Sequence, residues 1–208
     1  MFMLRPRSPA RKGAFINNKW IPSSSDRIFP VIAPAEGRQF AEIAAGNAKD
    51  IDRAVKAALG ALDGTWGRLS PTERGRLLTK LGYAITDHAD ELARLEARDT
   101  GKPMKQARAD MVATARYFEY YGGAADKVHG DTIPFLAGYF VTTEHIPHGV
   151  VGHIIPWNYP AQMFGRTLAP ALASSEASKR LLIEEWQFLA RSGRSYANSR
   201  GREAALPD

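Results

Sequence analysis

The chain is 208 residues long, carries a formal net charge of +6 and contains no cysteine. This length suffices for one sizeable hydrophobic core. The missing cysteine excludes disulfides and thiolate metal sites, and no apolar run of about eighteen residues is present that would span a membrane. Most of the excess charge comes from Arg5, Arg7, Arg11 and Lys12. These residues belong to an arm, residues 1–13, that we predict to be solvated. No binding motif accompanies them, which argues against nucleic-acid binding, and the arm lacks a secretory signal's apolar core, which predicts a cytoplasmic protein.

Short strands open the body of the chain. Residues 14–22 (AFINNKWIP) predict a strand, an Asn-Asn turn and a second strand. Residues 27–33 are expected to add a strand to the same small antiparallel sheet before a turn at residues 34–37. Residues 40–44 are a further strand candidate.

Two helices are predicted next. The first spans residues 48–62, capped by Asn47 or Asp50, because apolar side chains recur there at helical spacing. The second spans residues 71–98 and begins with the capping box Ser70-Pro71-Thr72-Glu73, in which proline takes the first helical position. Its expected core stripe consists of Leu77, Leu78, Leu81, Ala84 and Ile85.

The second helix is expected to continue beyond Asp87 as a segment that this aspartate caps. Two of its leucines are predicted to face the core and four of its charged residues to face solvent: Leu92 and Leu95, and Glu91, Arg94, Glu96 and Arg98. Gly101 and Pro103 then form a helix stop. A further helix is predicted at residues 104–126, with Met111, Val112, Ala115 and Phe118 on its core face.

A connector at residues 130–134 leads to residues 139–146 (YFVTTEHI), which alternate as a half-exposed strand does. Three histidines nearby, His145, His148 and His153, invite comparison with a metal site. They fall on two predicted strands, and only Glu144 among the carboxylates lies close to them in sequence. No metal site is therefore predicted.

Residues 149–173 predict a strand, a tight turn and a helix. The apolar run at residues 150–155 is typical of a strand buried on both faces, and Pro156 stops it. Pro160 suits the first turn of a helix at residues 160–173. Asn158 and its neighbours then lie at the carboxyl end of the strand, where ligands bind in open α/β sheets.

This stretch resembles the NAD(P)-dependent aldehyde dehydrogenase superfamily around its Pro-Trp-Asn motif, matched here by residues 156–158. The Asp-x-Gly-Lys-Pro break at residues 99–103 and the segment 121–129 match the family as well. The resemblance implies that the Asn158 amide helps to hold the oxyanion formed when a cysteine thiolate attacks an aldehyde. It also implies that NAD or NADP is lined by four residues: Ile154, Ile155, Pro156 and Trp157. The break at residues 99–103 is expected to be structural, with no catalytic part for Lys102.

The resemblance covers about residues 14–173 and implies an α/β chain with a partial aldehyde-dehydrogenase-like fold, in which the dinucleotide-binding domain is incomplete. The expected divisions are a basic tail (1–13), the N-terminal part of the coenzyme-binding domain (14–135), a bridging strand used in oligomerisation (136–148), the first strand–turn–helix of the sheet (149–173) and a divergent tail (174–208). The family continues with a strand carrying a Lys-Pro pair. Here Ser174 or Ser175 is instead expected to cap a helix through about residue 190, with a disordered remainder.

The family reaction is the oxidation of an aldehyde to a carboxylic acid, and it requires a thiolate. Because the chain has no cysteine, the expectation is a truncated NAD(P)-dependent aldehyde dehydrogenase that is inactive in isolation. The alternative is a non-enzymatic interaction protein that associates with full-length subunits through its helices and bridging strand. Either a homo-oligomer or such a mixed assembly is expected, and neither a nucleic acid nor a membrane is an expected partner.

Overall fold

The computed structural model describes residues 13–174, in which short antiparallel strands and helices alternate. The strands are β1 (Ala14–Ile16), β2 (Lys19–Ile21), β3 (Ile28–Ala33), β4 (Arg38–Ala44), β5 (Thr132–Ile133) and β6 (Val141–Thr142). The helices are α1 (Ala48–Leu62), α2 (Pro71–Asp87), α3 (Ala89–Thr100), α4 (Met104–Ala124) and α5 (Pro160–Ala173). No helix in this range is long and apolar enough to cross a bilayer. The predicted arm at residues 1–12 and the predicted helix and tail after residue 174 lie outside the described residues.

The strands form separate two-stranded ribbons: β1 with β2, β3 with β4, and β5 with β6. Asn17 (φ 56°) and Asn18 (φ 59°) make the predicted turn between β1 and β2, since asparagine tolerates the left-handed region that such hairpin turns require. The expectation that residues 27–33 join this first hairpin is wrong. β3 pairs with the strand that follows it, because the short turn through Gly37 (φ 63°) brings β4 back alongside at little cost in loop closure.

Helix α1 begins with a reciprocal capping box that uses both of the predicted residues. The Asn47 side chain accepts from the backbone N–H groups of Lys49 and Asp50, and the Asp50 carboxylate accepts from the N–H of Asn47. Asp50 is buried and also accepts from the Ser23 hydroxyl at 2.7 Å. The cap therefore ties the start of α1 to the loop that follows β2.

The predicted second helix is divided into α2 and α3 at His88. The capping box of Ser70 and Glu73 is present as predicted, and Gly101 (φ 77°) ends α3 in the left-handed conformation. The role expected of Asp87 is wrong, because α2 includes Asp87 and His88 is the residue between the helices. His88 (φ −105°, ψ 12°) departs from helical geometry, which lets α3 turn away from the direction of α2.

The main core lies between α2, α4 and α5, with Phe118 at its centre and Leu78 and Leu168 against it. Helix α2 buries Gly75, Leu78, Gly82 and Ile85, a line spaced for one helix face. Four leucines and valines predicted to be in the core are exposed instead: Leu77, Leu81, Leu95 and Val112. These side chains are 37–59% exposed.

The segment between α4 and α5 contains much less strand than predicted. Only β6 (Val141–Thr142) forms within residues 139–146, and its partner β5 (Thr132–Ile133) lies in the predicted connector. The strand predicted at residues 150–155 is absent, although the backbone there is not helical. A strand requires hydrogen bonds to a neighbouring strand, and none of those within residues 13–174 pairs with this segment.

Candidate functional site

Helix α5 starts directly after the turn that contains Asn158, so its packing fixes where that turn lies. Pro160 occupies the first helical turn, where the missing N–H has no cost. Gly165 faces α4, where an added Cβ would lie 3.1 Å from the backbone oxygen of Thr114. The glycine therefore allows close approach of the two helices, and Leu168 and Leu172 bury the remainder of α5 in the core.

Asn158 lies in the turn before α5 and is exposed. No hydrogen bond of its side chain is found within residues 13–174. Its neighbours Trp157 and Tyr159 are also largely accessible, at 55% and 40% of their full exposure. The amide N–H groups are thus available to a ligand, on a turn whose two ends are held by the rest of the structure.

The four residues predicted to line a cofactor do not share one environment. Ile154 is 76% exposed, and Pro156 and Trp157 are exposed as well, whereas Ile155 is only 3% exposed and points into the protein. The segment was predicted to be buried on both faces. It is covered on one side only, because the described residues supply no second layer. Three of the four side chains therefore lie on the surface beside Asn158.

A buried cluster of charges lies directly beneath this turn. Lys102 Nζ donates to Glu96 Oε1 and to Asp110 Oδ2, each at 2.6 Å. Both carboxylate side chains are almost completely buried, and that of Lys102 is 10% exposed. The same ammonium lies 4.6 Å from the centre of the Tyr159 ring, in the range of a cation–π contact. One lysine therefore connects α3, α4 and the residue after Asn158.

The second oxygen of Asp110 extends the cluster to α5. Its Oδ1 accepts from Gln106 Nε2 at 2.9 Å and from Gln162 Nε2 at 2.7 Å. Gln162 lies in the first turn of α5. Asp110 thus joins α4 to the helix that follows Asn158.

The electrostatics of the cluster keep Lys102 and Asp110 charged. Burial would raise the pKa of Asp110, but hydrogen bonds from Lys102, Gln106 and Gln162 hold that pKa below its usual value. Burial would lower the pKa of Lys102, but hydrogen bonds to Asp110 and Glu96 raise it. Burial raises the pKa of Glu96 in spite of the bond from Lys102. Glu96 is therefore the carboxyl of the cluster that binds a proton most readily.

The sequence reasoning missed most of this cluster. Glu96 was expected on the solvent face of α3 and is buried, and neither Asp110 nor Gln162 was singled out. Two signals were present. Glu96 follows Ala93 by three residues and so shares its face, and Gln106 precedes Asp110 by four, a spacing that favours a side-chain hydrogen bond.

The three histidines do not come together as a metal centre. His145 and His148 are exposed, while His153 is half-buried. Among residues 13–174 there is no group of three or more potential ligands that could hold a metal ion.

Comparison with known proteins gives these features their context. The model of the aldehyde dehydrogenase family matches residues 20–176, which is more than half of the chain. The chain belongs to the aldehyde dehydrogenase family. Human retinal dehydrogenase 2 is 47% identical over 161 residues, covering 76% of this chain and 31% of that protein. The mitochondrial aldehyde dehydrogenase family 2 member B4 of Arabidopsis thaliana is 43% identical over 194 residues, or 92% and 35% of the two chains.

Solved aldehyde dehydrogenases share the fold. A putative aldehyde dehydrogenase from Burkholderia cenocepacia is 48% identical, with a TM-score of 0.78 over 86% of this chain and 39% of that one. An aldehyde dehydrogenase from Bacillus cereus, solved as its NAD⁺ complex, is 35% identical with a TM-score of 0.77, over 88% of this chain and 39% of that one. The predicted fold class, a partial aldehyde-dehydrogenase-like fold of helices and strands, is confirmed. The chain spans about a third of the length of the curated relatives that it matches.

Proposed function

We propose that this chain supplies the oxyanion donor and part of the cofactor surface of an NAD(P)-dependent aldehyde dehydrogenase, and that a second sequence supplies the thiolate. The observation that carries the proposal is the Asn158 amide, exposed and without a hydrogen bond within residues 13–174. It stands on a turn anchored by a core helix. A preorganised N–H donor aimed at a developing oxyanion is worth about 3–4 kcal/mol.

The surface beside Asn158 fits a dinucleotide. Ile154, Pro156 and Trp157 are exposed and apolar or aromatic, which suits the flat rings of such a molecule. Bound NAD(P) supplies the hydride acceptor for the oxidation. In this proposal Ile154, Pro156 and Trp157 contact it with their side chains. Ile155 contributes only its backbone, because its side chain is buried.

The residues of this chain perform one part of the reaction. When a thiolate adds to the aldehyde carbon, the carbonyl oxygen gains negative charge, and the Asn158 N–H groups donate to it. These donors need little reorientation, since Tyr159 next to Asn158 is held by Lys102 and by the backbone N–H of Met163. The 208 residues contain no cysteine, so the isolated chain is expected to show no NAD(P)-dependent aldehyde oxidation.

The proposal is tested by supplying the cysteine-bearing sequence from a second chain. The chain is coexpressed with the cysteine-bearing remainder of a related aldehyde dehydrogenase, and NADH or NADPH formation from a simple aldehyde is followed. Reconstituted activity should fall roughly 10²–10³-fold in kcat in Asn158→Ala. Gln39→Ala, which removes an exposed amide on β4, is the control and should leave activity unchanged. Turnover by the isolated chain, or an equal rate in Asn158→Ala, would contradict the proposal.

A second function, association with full-length subunits, is favoured by the β5–β6 ribbon and its connection. Four large apolar side chains there are well exposed: Phe135, Leu136, Tyr139 and Phe140, with Phe140 at 83%. Clusters of exposed apolar residues mark interaction surfaces. The proposed partner is another aldehyde dehydrogenase subunit or a second copy of this chain. Sedimentation should show a smaller species for Phe140→Asp than for the unchanged chain, and equal sizes would exclude this surface.

The cytoplasmic location expected from the sequence stays a proposal. Fractionation of cells that express the tagged chain tests it. Recovery of the chain in an organelle or outside the cell would contradict this location.

A further inference from the structure

The turn that carries Asn158 has little to fix it from within. Tyr159, the residue before α5, makes no side-chain capping bond to the helix. The segment before the turn has no strand partner within residues 13–174. Two contacts from other helices reach the end of the turn and the start of α5 instead. They are the ammonium of Lys102 against the Tyr159 ring and the carboxylate of Asp110 on Gln162.

Stability alone does not account for charges at this position. Removing three charged groups from water has a large desolvation cost, and well-packed apolar residues often stabilise a protein as much or more. An ion cluster does fix the relative orientation of the groups that it joins, because charge-assisted hydrogen bonds act at short distance and fixed angle. Here such bonds converge on the ammonium of Lys102, from α3 through Glu96 and from α4 through Asp110. Asp110 also accepts from Gln162 in the first turn of α5.

We infer that Lys102 and Asp110 are positioning residues, which fix the turn at residues 157–159 and thereby the direction of the Asn158 amide. The inference rests on the proposed role of Asn158. Lys102 contacts Tyr159 at the end of the turn, and Asp110 accepts from Gln162 at the start of α5. An oxyanion donor acts only if its N–H groups are already aimed at the developing charge. A site whose supporting contacts are loosened by about 1 Å loses much of that effect.

Two further features keep the ammonium in place. Gly101 ends α3 in the left-handed conformation, which turns Lys102 back under the helix. Glu96 then accepts from Lys102 on the α3 side. Lys102 is thus held by α3 while it contacts α4 and Tyr159. The position of the turn therefore depends on both helices.

The inference is tested on the full chain by two measurements that need neither cofactor nor turnover. The first is amide hydrogen exchange at residues 163–166, where the backbone hydrogen bonds of α5 begin. The N–H of Met163, for example, donates to the backbone carbonyl oxygen of Tyr159. Exchange there should be roughly ten- to hundred-fold faster in Lys102→Met, as expected for the loss of contacts to a charged group. The second is the side-chain amide resonance of Asn158, assigned by its disappearance in Asn158→Ala, which should shift in Lys102→Met.

A matched control separates positioning from general stability. Asp90→Asn breaks the exposed pair between Asp90 and Arg108, which also joins α3 to α4 but does not reach α5. This variant should leave both readouts unchanged. Amides around Phe118 in the core should exchange at the original rate in Lys102→Met. Equal acceleration around Phe118 and at residues 163–166, or no shift of the Asn158 resonance, would overturn the inference.

A milder variant covers the case in which Lys102→Met does not fold. Gln162→Leu removes only the hydrogen bond to Asp110 and leaves the ion cluster intact. It should also accelerate exchange at residues 163–166 and shift the Asn158 resonance, and an unchanged turn would overturn the inference. These readouts are separate from the reconstituted activity. A positioned turn in a chain that never supports aldehyde oxidation would refute the proposed function alone.

Discussion

The contact between α2 and α4 allows a test in which two similar substitutions have effects of opposite sign. In an exposed helix interior, replacing glycine by alanine stabilises by about 1 kcal/mol, because glycine loses more backbone entropy on folding. Gly75 is an exception, since its added Cβ would overlap the carbonyl oxygen of Gly122 in α4. Gly123, the next residue of α4, has nothing within 4 Å of the added Cβ. The two positions therefore differ in steric space more than in helix propensity.

The expected magnitudes follow from these contacts. The obstacle at Gly75 is backbone, so the two helices must separate, and overpacking of this kind costs about 1–3 kcal/mol. The propensity gain offsets about 1 kcal/mol of it. Gly75→Ala should therefore be destabilised by about 0–2 kcal/mol, and Gly123→Ala should be stabilised by about 0.4–1 kcal/mol. Urea unfolding followed by circular dichroism measures both. If Gly75→Ala gained as much stability as Gly123→Ala, the described approach of α2 and α4 would be wrong.

Three other experiments test separate parts of the structure. Burial raises the pKa of Glu96, so its contribution to stability is complete below the unfolded pKa near 4.3 and is lost as the pH rises through the folded pKa. Glu96→Gln should make the midpoint of urea unfolding decline less steeply with pH. The same pH profile in Glu96→Gln and in the unchanged chain would contradict this prediction. Burial would raise the pKa of Asp50, but hydrogen bonds from Ser23, Ser24 and Asn47 lower it. Its contribution to stability is therefore present above the unfolded pKa and lost as the pH falls through the folded pKa. Asp50→Asn should lower the free energy of unfolding by about 1–2 kcal/mol at neutral pH, and thermal unfolding at pH 7 with a melting temperature equal to that of the unchanged chain would argue against the capping contacts. Ile155→Ala should lower the free energy of unfolding by about 2–4 kcal/mol, because Ile155 is buried. Ile154→Ala should change it by less than about 0.5 kcal/mol, because Ile154 is 76% exposed. Equal losses of unfolding free energy in urea would mean that both sides of this segment are covered.

The sequence predicted those features that depend on neighbours along the chain. The capping box of Ser70 and Glu73, the cap at Asn47 and the left-handed Gly101 all formed as expected. Each of them involves residues within about four positions of one another, so the local sequence contains the whole interaction. The same applies to α5, whose predicted bounds at 160 and 173 agree with the structure.

The features that failed depend on distant partners. An apolar run such as residues 150–155 becomes a strand only beside another strand, and none within residues 13–174 reaches it. The burial of Glu96 was missed because α4 decides which face of α3 is covered, and the helical periodicity of α3 does not contain that choice. Asn158 was predicted at the carboxyl end of a strand and before a helix; the helix is present, but Asn158 follows a segment that is not a strand. Its role, and the roles of the residues that precede it, stay predictions.

The ion cluster beneath the turn also has a consequence for the order of folding. Lys102 is six residues from Glu96 and eight from Asp110, whereas Gln162 is 52 residues from Asp110. Closing the longer loop costs roughly 1.7 kcal/mol more in chain entropy than closing the eight-residue one. The ion cluster between α3 and α4 can therefore form first, and α5 can then pack against it. If α5 docks after the transition state, a change at Glu96 should slow folding, whereas a change at Gln162 should mainly speed unfolding.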